Sequence, residues 1–260
     1  MKKNMRLERQ QVVIISLKEN KVGRDFVVGD LHGSYEAFNA LLQHVGFDEH
    51  HDRVIAVGDL IDRGKDSLLC LELLHSEWFY SVRGNHEGLM QEWDLATTEQ
   101  RHSIEQRWCE EGGEWFFSLP PEQQSRCVRL IEQLPMVVIV ESGGYQYAIL
   151  HAEIPPEVDD FHDFIDRLIE VDRQAVSSCL WGRRRKLARS TTVVSGIDYI
   201  LAGHSPSQFP KISYGNSLIL DFGAGVECYG SALGLMELST QHLYLHRQGE
   251  IILHEGAAFL

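Results

Sequence analysis

The amino-acid sequence predicts an α/β fold with a parallel β-sheet and a second, antiparallel sheet. Short apolar runs that end in Gly-Asp, Gly-Asn, Gly-His or His recur along the chain, and amphipathic stretches with helical spacing separate the first three. Continuous apolar runs are typical of strands that are covered on both faces. From Lys211 onward, short segments alternate apolar and polar residues between turn residues, which is typical of antiparallel strands.

Five apolar runs are predicted to be strands, at residues 25–30, 53–59, 78–86, 146–151 and 198–204. Helical spacing over Tyr35 to Val45 and over Ser67 to Leu74 predicts two helices between the first three runs, so this part reads as βαβαβ. A further run, Val12 to Leu17, predicts an N-terminal strand. Because polar residues at the ends of parallel strands meet in one crevice, we expect the side chains that follow the runs to lie together.

Residues 87–134 differ in composition from the rest of the chain. They are rich in Glu, Gln, Arg and Trp, with helical stretches around 98–110 and 122–133, and they predict a helical subdomain. No internal repeat or low-complexity linker divides the sequence. We therefore expect one domain over residues 1–260, with 87–134 as a small helical subdomain.

The charge balance argues against general binding of nucleic acids. The chain has 24 Lys and Arg against 38 Asp and Glu, a net charge of −14, which repels phosphate backbones. The basic run from Arg183 to Lys186 could be a nucleic-acid patch, a solvated loop or part of an anion site. No apolar run approaches the roughly 20 residues of a membrane-spanning helix, and the N-terminal run is too short for a signal peptide. We expect a soluble cytoplasmic protein without nucleic-acid or membrane partners.

The cysteines suggest neither a disulfide framework nor a thiolate zinc site. They are odd in number, widely spaced and never arranged as CxxC, which fits a reducing cytoplasm. We expect the cysteines to be small buried hydrophobic residues. They are Cys70, Cys109, Cys127, Cys179 and Cys228.

Carboxylates follow the first two apolar runs. In GDLHG, Asp30 and His32 are alternate residues of an extended backbone, so both side chains can reach one metal ion. In GDLIDRG, Asp59 follows its run as Asp30 does. Two buried carboxylates side by side raise each other's pKa unless a cation lies between them, which is a physical reason to expect a metal. Taken singly, the same residues could also be turn caps, with Arg63 as a salt-bridge partner.

The third motif, RGNHE, offers an amide and an imidazole in adjacent positions. Because adjacent side chains diverge, Asn85 is the candidate ligand and His86 is free to act on a substrate as a proton donor. His151 and His204 end two later runs. A single histidine of this kind fits a structural role equally well, but metal-competent side chains at five successive strand ends make a strong joint signal.

The candidate ligands combine carboxylate, amide and imidazole groups. These donors suit two divalent first-row ions, with Mn²⁺ as the first expectation and Fe²⁺ or Zn²⁺ as alternatives, whereas Ca²⁺ prefers oxygen alone. Two ions about 3.5–4 Å apart, bridged by a carboxylate, form a centre for in-line displacement at phosphorus. The ligand set is Asp30, His32, Asp59, Asn85, His151 and His204.

The three motifs, followed by the two single histidines, resemble the metal-dependent phosphoprotein phosphatases among the calcineurin-like metallophosphoesterases. The likeness is greatest to the small bacterial and bacteriophage lambda-type serine/threonine phosphatases, which share a GGxWFF stretch, a HAxxP segment and a WxR element, here GGEWFF, HAEIP and WGR. It covers about residues 25–225. The resemblance implies a sandwich of two mixed β-sheets flanked by helices, with a small helical insertion.

The resemblance also implies hydrolysis of phosphoserine and phosphothreonine esters on protein or peptide partners, by two metal ions and a bridging hydroxide. It assigns the metal ligands as follows: Asp30 and His32 to the first ion, Asp59 as the bridge, and Asn85, His151 and His204 to the second ion.

The same resemblance assigns the proton donor and the phosphate contacts. His86 would protonate the leaving group, oriented by Asp62. Arg63 and Arg83 would hold the phosphoryl oxygens, and Arg183, from the WxR element, would be a further phosphate contact.

Two other functions are compatible with parts of the pattern. A symmetrical diadenosine polyphosphate hydrolase of the same superfamily would use the same metal centre, but those hydrolases tend to lack the aspartate that corresponds to Asp62. A non-catalytic scaffold would be expected to have lost a ligand, and here every ligand position is filled. Glu153 stands where many family members have glycine. Two effects of this carboxylate are open: a change in the substrate charge that the site prefers, or a change in the metal that it binds.

Overall fold

Two mixed β-sheets pack against each other in the computed structural model, which describes residues 13–207, 213–226 and 230–256. One sheet has six strands in the order β1-β5-β6-β7-β9-β8, and the other has seven, in the order β13-β12-β11-β2-β3-β4 with β10 paired to β11. The strands are β1 (Ile14–Leu17), β2 (Asp25–Val28), β3 (Arg53–Ala56), β4 (Phe79–Ser81), β5 (Val137–Ser142), β6 (Tyr145–Leu150), β7 (Tyr199–Ala202), β8 (Ser213–Tyr214), β9 (Ser217–Ile219), β10 (Asp221–Phe222), β11 (Ala232–Glu237), β12 (His242–Arg247) and β13 (Glu250–His254).

Helices cover the outer faces of both sheets. A 3₁₀ turn, Leu73–His75, follows the second helix. The helices are α1 (Tyr35–His44), α2 (Ser67–Glu72), α3 (Asn85–Leu95), α4 (Thr98–Glu110), α5 (Glu114–Phe117), α6 (Pro121–Ile131), α7 (Phe161–Ile169), α8 (Arg173–Trp181) and α9 (Arg184–Leu187). The two-sheet sandwich flanked by helices confirms the fold class that the sequence predicted.

The βαβαβ pattern is confirmed by strands β2, β3 and β4, which pair in parallel through α1 and α2. The run Val12 to Leu17 also forms a strand, although Val12 itself lies outside the described residues. Strand β1 pairs in parallel with β5 in the six-stranded sheet.

Strands β10 to β13 are antiparallel, as the alternating pattern predicted, whereas β9 pairs in parallel with β7. The expectation that the segment from Lys211 onward forms a second sheet of its own was wrong. Strand β11 pairs antiparallel with β2, with Leu235 opposite Val28, so the β11-β12-β13 meander extends the first sheet. The second sheet is built from β1 and the strands between residues 137 and 219. As a result, the five predicted strand ends come from two sheets.

Alternate residues of the central strands reach different hydrophobic layers, which explains their continuous apolar sequence. Val27 of β2 packs between the sheets, while its neighbours Phe26 and Val28 pack under the helices. In β6, Ile149 packs between the sheets and Leu150 packs against the layer that contains α7 and α8. These strands are therefore covered on both faces.

The predicted helical segment contains α4, α5, α6 and most of α3. Its buried residues Trp108, Phe116 and Ile131 belong to the same hydrophobic cluster as Phe26 of β2. The segment therefore shares a core with the seven-stranded sheet instead of forming its own.

Four cysteines lie in the described residues, and all four are free thiols; Cys228 lies outside these residues. Among the described helices, none is both long enough and apolar enough to cross a lipid bilayer.

Candidate metal centre and active site

The structure brings all six predicted metal ligands together, and none of them is more than 5% exposed. Each ligand follows the carboxyl end of a strand, three of these strands lying in the seven-stranded sheet and two in the six-stranded sheet. The positions are Asp30 and His32 after β2, Asp59 after β3, Asn85 after β4, His151 after β6 and His204 after β7. The crevice therefore lies where the two sheets meet.

Several ligand positions have a backbone conformation that is unusual for residues other than glycine. The φ angles of His32, Asp59 and His204 are +40°, +49° and +65°. The backbone N–H of His32 donates to the carbonyl of Asp59 over 2.9 Å, which ties the first two loops together. Such left-handed residues cost about 1–3 kcal/mol each and cluster at functional sites, where the surrounding structure holds them.

The Asp59 carboxylate lies between histidines from the two sheets. Its Oδ2 atom is 3.5 Å from His32 Nε2 and 3.4 Å from His151 Nε2. His32 Nδ1 lies 2.9 Å from the carbonyl of Ile61, which leaves Nε2 facing the crevice. One oxygen of Asp59 is thus placed to be shared by two ions.

Asn85 and Asp30 complete the two sides of the cluster. Asn85 Oδ1 is 2.8 Å from His151 Nε2 and 2.9 Å from His204 Nδ1. Asp30 Oδ2 is 4.0 Å from His32 Nε2 and accepts the backbone N–H of His204 over 2.9 Å. Asn85 therefore groups with the two later histidines, and Asp30 lies beside His32.

The pKa values of the buried carboxylates Asp30 and Asp59 are shifted in opposite directions. Burial raises the pKa of Asp30 well above its usual range, and the nearby charges of Asp221 and Asp59 raise it further. Burial would also raise the pKa of Asp59, but the His151 and His86 imidazoles outweigh it and hold this pKa well below its usual range. A cation in the cluster would therefore favour the ionised form of Asp30 and lower its pKa.

The pKa values of the histidine ligands are also shifted in opposite directions. Burial lowers the pKa of His32 and that of His204 to about 3, so both are neutral and able to bind a metal. His151 is also buried, but the charge of Asp59 and a hydrogen bond to it raise the pKa of His151 to about 10.

The donor set fits two divalent ions. Two groups of ligand atoms, each lying within 4.8 Å of one another, share Asp59, the first with His32 and His86 and the second with His151 and His204. Carboxylate, imidazole and amide donors without thiolate suit Mn²⁺, Fe²⁺ or Zn²⁺. In the first group, His86 and Asp30 are alternative third donors, because both lie near His32.

His86 is paired with Asp62 in the arrangement that the resemblance implied. His86 Nδ1 donates to Asp62 Oδ2 over 2.6 Å, and His86 Nε2 faces the cluster, 3.9 Å from Asp59 Oδ2. Burial lowers the pKa of His86, but the charges of Asp59 and Asp62 outweigh burial and raise it. The Arg63 guanidinium lies 2.9 Å from His32 Nε2 and 3.3 Å from His86 Nε2, between these two imidazoles.

Arg83 differs from its predicted role, because the structure directs its side chain away from the cluster. The guanidinium donates to Gln91 Oε1 over 2.7 Å and to the carbonyls of Leu134 and Ile131 over 3.3 and 3.5 Å. These carbonyls lie at and after the C-terminal end of α6, where helical backbone acceptors are unpaired. Arg83 therefore joins helices α3 and α6 and is not placed to hold phosphoryl oxygens.

Arg183 lies at the edge of the cluster, where its Nε donates to His204 Nε2 over 3.1 Å. The three basic residues that follow it all have intramolecular partners. Arg184 pairs with Glu157, Arg185 donates to the carbonyls of Ile154, Pro155 and Val158, and Lys186 donates to the carbonyls of Ser205 and Pro206.

Glu153 holds the loop that carries Arg183. Its two carboxylate oxygens accept the backbone N–H groups of Arg184 over 3.0 Å and of Arg185 over 2.7 Å. A Cβ atom at Gly182 would overlap the Cγ of Glu153, so glycine is needed for this close approach. The residue that departs from the family pattern is therefore a buried anchor for the Arg183 loop.

Two further acidic residues of the site were missed. The Glu87 carboxylate accepts the backbone N–H groups of Asp59, Leu60 and Gly84 over 2.8–3.0 Å and so holds the second and third motifs together. Asp221 is buried beside Asp30 and also follows an apolar run, in SLILDFG, so the strand-end pattern could have identified it. Glu87 is the last residue of the RGNHE motif, and its place in this motif could have identified it.

The two-sheet sandwich, with two ligand groups that share one aspartate, defines the class of dinuclear metallohydrolases. Residues 26–208 match the family model described as calcineurin-like phosphoesterase, and the chain belongs to this family. Calcineurin-like phosphoesterases use a dinuclear metal centre, and the chain is accordingly a metallophosphoesterase.

Relatives of this chain carry two kinds of name. A protein named serine/threonine-protein phosphatase 1, from Salmonella typhimurium strain LT2, is 32% identical over 202 residues, which cover 76% of this chain and 86% of the relative. A symmetrical bis(5'-nucleosyl)-tetraphosphatase from Glaesserella parasuis serovar 5 is 41% identical over 136 residues, which cover 52% of this chain and 46% of the relative.

Among solved structures, a protein serine/threonine phosphatase from Saccharomyces cerevisiae matches with a TM-score of 0.61 and 18% identity. The match covers 95% of this chain and 84% of the other. At this identity the likeness supports the fold alone.

Proposed function

We propose that this chain hydrolyses phosphoserine and phosphothreonine esters on proteins or peptides. The observation that carries the proposal is the Asp62–His86 pair, in which Nδ1 of His86 donates to Asp62 and Nε2 faces the metal ligands. Cleavage of a seryl or threonyl ester releases a strongly basic alkoxide, and a positioned proton donor is therefore of most use with such substrates. The 86% coverage of the relative named as a serine/threonine-protein phosphatase also supports it.

In the proposed reaction, two guanidinium groups bind the phosphoryl oxygens. Arg63 lies between His32 and His86, and Arg183 lies beside His204. The two guanidinium groups therefore contact different ligands of the cluster. Arginine is well suited to this role because its planar fork can donate two hydrogen bonds to one phosphate. His86, oriented by Asp62, donates the proton to the departing oxygen.

The six ligands would hold two divalent ions, and we favour Mn²⁺ with Fe²⁺ or Zn²⁺ as alternatives. When bound, such ions supply Lewis-acid stabilisation of the phosphoryl group and lower the pKa of the attacking water. We assign Asp30 and His32 to one ion, Asn85, His151 and His204 to the other, and Asp59 to both.

A second candidate is symmetrical hydrolysis of diadenosine tetraphosphate. The observation in its favour is the 41% identity to the bis(5'-nucleosyl)-tetraphosphatase, although that match covers about half of this chain. The leaving group in that reaction is a nucleotide phosphate, which is weakly basic and has little need of a proton from His86.

The two candidates are separated by a side-by-side assay. Purified protein is freed of metal, supplied with Mn²⁺ and given a phosphoseryl peptide or diadenosine tetraphosphate at equal concentration. We expect kcat/KM to be larger for the peptide and turnover to vanish without metal. A larger kcat/KM for the dinucleotide would overturn the proposal in favour of the second candidate.

A further inference from the structure

The Asp62 carboxylate accepts three side-chain N–H groups, and two of them come from tryptophans. Oδ2 accepts Nδ1 of His86 over 2.6 Å and Nε1 of Trp108 over 2.7 Å. Oδ1 accepts Nε1 of Trp115 over 2.7 Å. Asp62 is fully buried, so these groups take the place that water has around an exposed carboxylate.

Both tryptophans belong to the helical segment 87–134. Trp108 lies on α4 and is fully buried, and its ring packs against those of Phe116 and Phe117, with centroids 4.9 and 5.2 Å away. A Cβ atom at Gly113 would overlap the Trp108 ring, so the GGEWFF motif fits closely around it. This packing holds the indole N–H groups in place relative to the sheet.

Indole is well suited to holding a carboxylate that must remain available to another partner. It donates one hydrogen bond, accepts none and carries no charge. A lysine or arginine in the same place would form an ion pair with Asp62 and compete with the His86 imidazole. The two indoles instead fix both oxygens of Asp62 while leaving Oδ2 directed at His86.

We infer that Trp108 and Trp115 are positioning residues for the proton donor: their N–H groups orient Asp62, which in turn orients the His86 ring so that Nε2 faces the departing oxygen. The inference deepens the proposed function and rests on the role of His86 in it. It gives the helical segment a part in the chemistry, and it accounts for the two tryptophans of this segment that donate to Asp62.

The effect of the indoles depends on the basicity of the leaving group. A seryl alkoxide or a phenolate needs the proton of His86, whereas p-nitrophenolate is stable enough to leave without it. Loss of an indole N–H should therefore slow the cleavage of basic leaving groups selectively. A purely structural defect would slow all substrates alike.

The test compares Trp108→Phe and Trp115→Phe with the wild type on a series of aryl phosphates, from p-nitrophenyl phosphate to phenyl phosphate, and on a phosphoseryl peptide. We expect kcat to fall about 10- to 100-fold for phenyl phosphate and the peptide, a fraction of the usual effect of a general acid, and to stay within about 2-fold for p-nitrophenyl phosphate. Metal content and far-UV circular dichroism are measured in parallel to establish that each variant is folded and loaded.

Trp93→Phe is the matched control. The Trp93 ring packs on the same two phenylalanines, at 5.3 and 5.5 Å, and within the described part of the chain its Nε1 has no hydrogen-bond partner. Its removal should leave the slope of log kcat against leaving-group basicity unchanged. Trp115 is only partly buried, so its variant tests the inference even if Trp108→Phe does not fold.

Equal losses on every ester, or no loss on any, in the Trp115 variant would overturn the inference. A wild type that cleaves aryl esters but not the peptide would instead refute the proposed substrate class, and the aryl series would still decide the role of the indoles. A wild type that cleaves neither the aryl phosphates nor the peptide would overturn the inference together with the proposed function.

Discussion

His151 Nε2 lies 2.8 Å from Asn85 Oδ1, although the two residues follow strands of different sheets. The other ring nitrogen, Nδ1, lies 2.8 Å from the carbonyl of Val57. Both neighbours are oxygen acceptors, so a proton on each ring nitrogen would satisfy both contacts. This agrees with a pKa of about 10 for His151, which the charge of Asp59 maintains against the effect of burial.

Metal binding should therefore release a proton from His151. A nitrogen that binds a metal must be deprotonated, and the metal-free His151 is protonated below about pH 10. We expect release of at least one proton per chain at pH 7–8, measured by titration calorimetry of Mn²⁺ binding in buffers of different ionisation enthalpy. Because the folded pKa exceeds the usual 6.5, His151 stabilises the metal-free fold most below pH 6.5 and loses this effect as the pH rises through about 10. An enthalpy that does not depend on the buffer would contradict a cationic His151.

Asp59→Asn should lower the metal content at both positions. The Asp59 Oδ2 atom lies about equally far from His32 Nε2 and His151 Nε2, at 3.5 and 3.4 Å, and an amide binds a divalent ion less strongly than a carboxylate. We expect fewer than two ions per chain by inductively coupled plasma mass spectrometry. Asp48→Asn, which changes an exposed carboxylate, should retain the full content. Two ions per chain in the Asp59 variant would show that it is not shared.

His86→Asn and Asp30→Asn should separate the proton donor from the first-ion ligand. Because His86 Nδ1 is bonded to Asp62 and its pKa is raised, we expect the His86 variant to keep its metal and to lose about 100- to 10,000-fold in kcat on a phosphoseryl peptide. The Asp30 variant should lose one ion instead. If the His86 variant loses an ion and the Asp30 variant keeps both, His86 is the metal ligand of the first group.

Glu153→Ala should weaken phosphate binding through Arg183. The buried carboxylate accepts two backbone N–H groups directly after Arg183, and loss of hydrogen bonds to a charged group frees this loop. We expect KM to rise roughly 10-fold, and inhibition by inorganic phosphate to weaken equally, with a smaller change in kcat. Glu157→Gln, which removes an exposed ion pair with Arg184, should change KM little. An unchanged inhibition constant for phosphate in the Glu153 variant would show that Glu153 does not contribute to phosphate binding.

The strand ends of the site could be predicted because local sequence determines them. Apolar runs followed by Asp30, Asp59 or His204 identify buried strands and the polar residues after them. The assignment of strands to sheets could not be predicted in this way. Strand β11 pairs with β2 across more than 200 residues, and no local pattern encodes such a partner. This is why the C-terminal strands were expected in the wrong sheet.

Side-chain direction was equally hard to infer from motifs. Arg83 lies in RGNHE beside Asn85, yet its guanidinium satisfies carbonyls around the end of α6, about 50 residues away. Trp108 reaches Asp62 across 46 residues. Helices α7 and α8 were not predicted, although Asp160 and Asp172 cap them, because aspartate is as common in turns as at helix N-termini.

The contact between His204 and Asp30 joins residues 174 positions apart, and the β2 strand gains its second neighbour only from residues 232–237. On the ribosome, the loops that present Asp30, Asp59 and Asn85 therefore emerge long before the segments that complete their surroundings. A nascent chain shorter than about 204 residues lacks one histidine of the second ligand group. The second ligand group is accordingly complete only after more than 200 residues of this sequence have been made. Folding also depends on contacts that form slowly because they are remote in sequence.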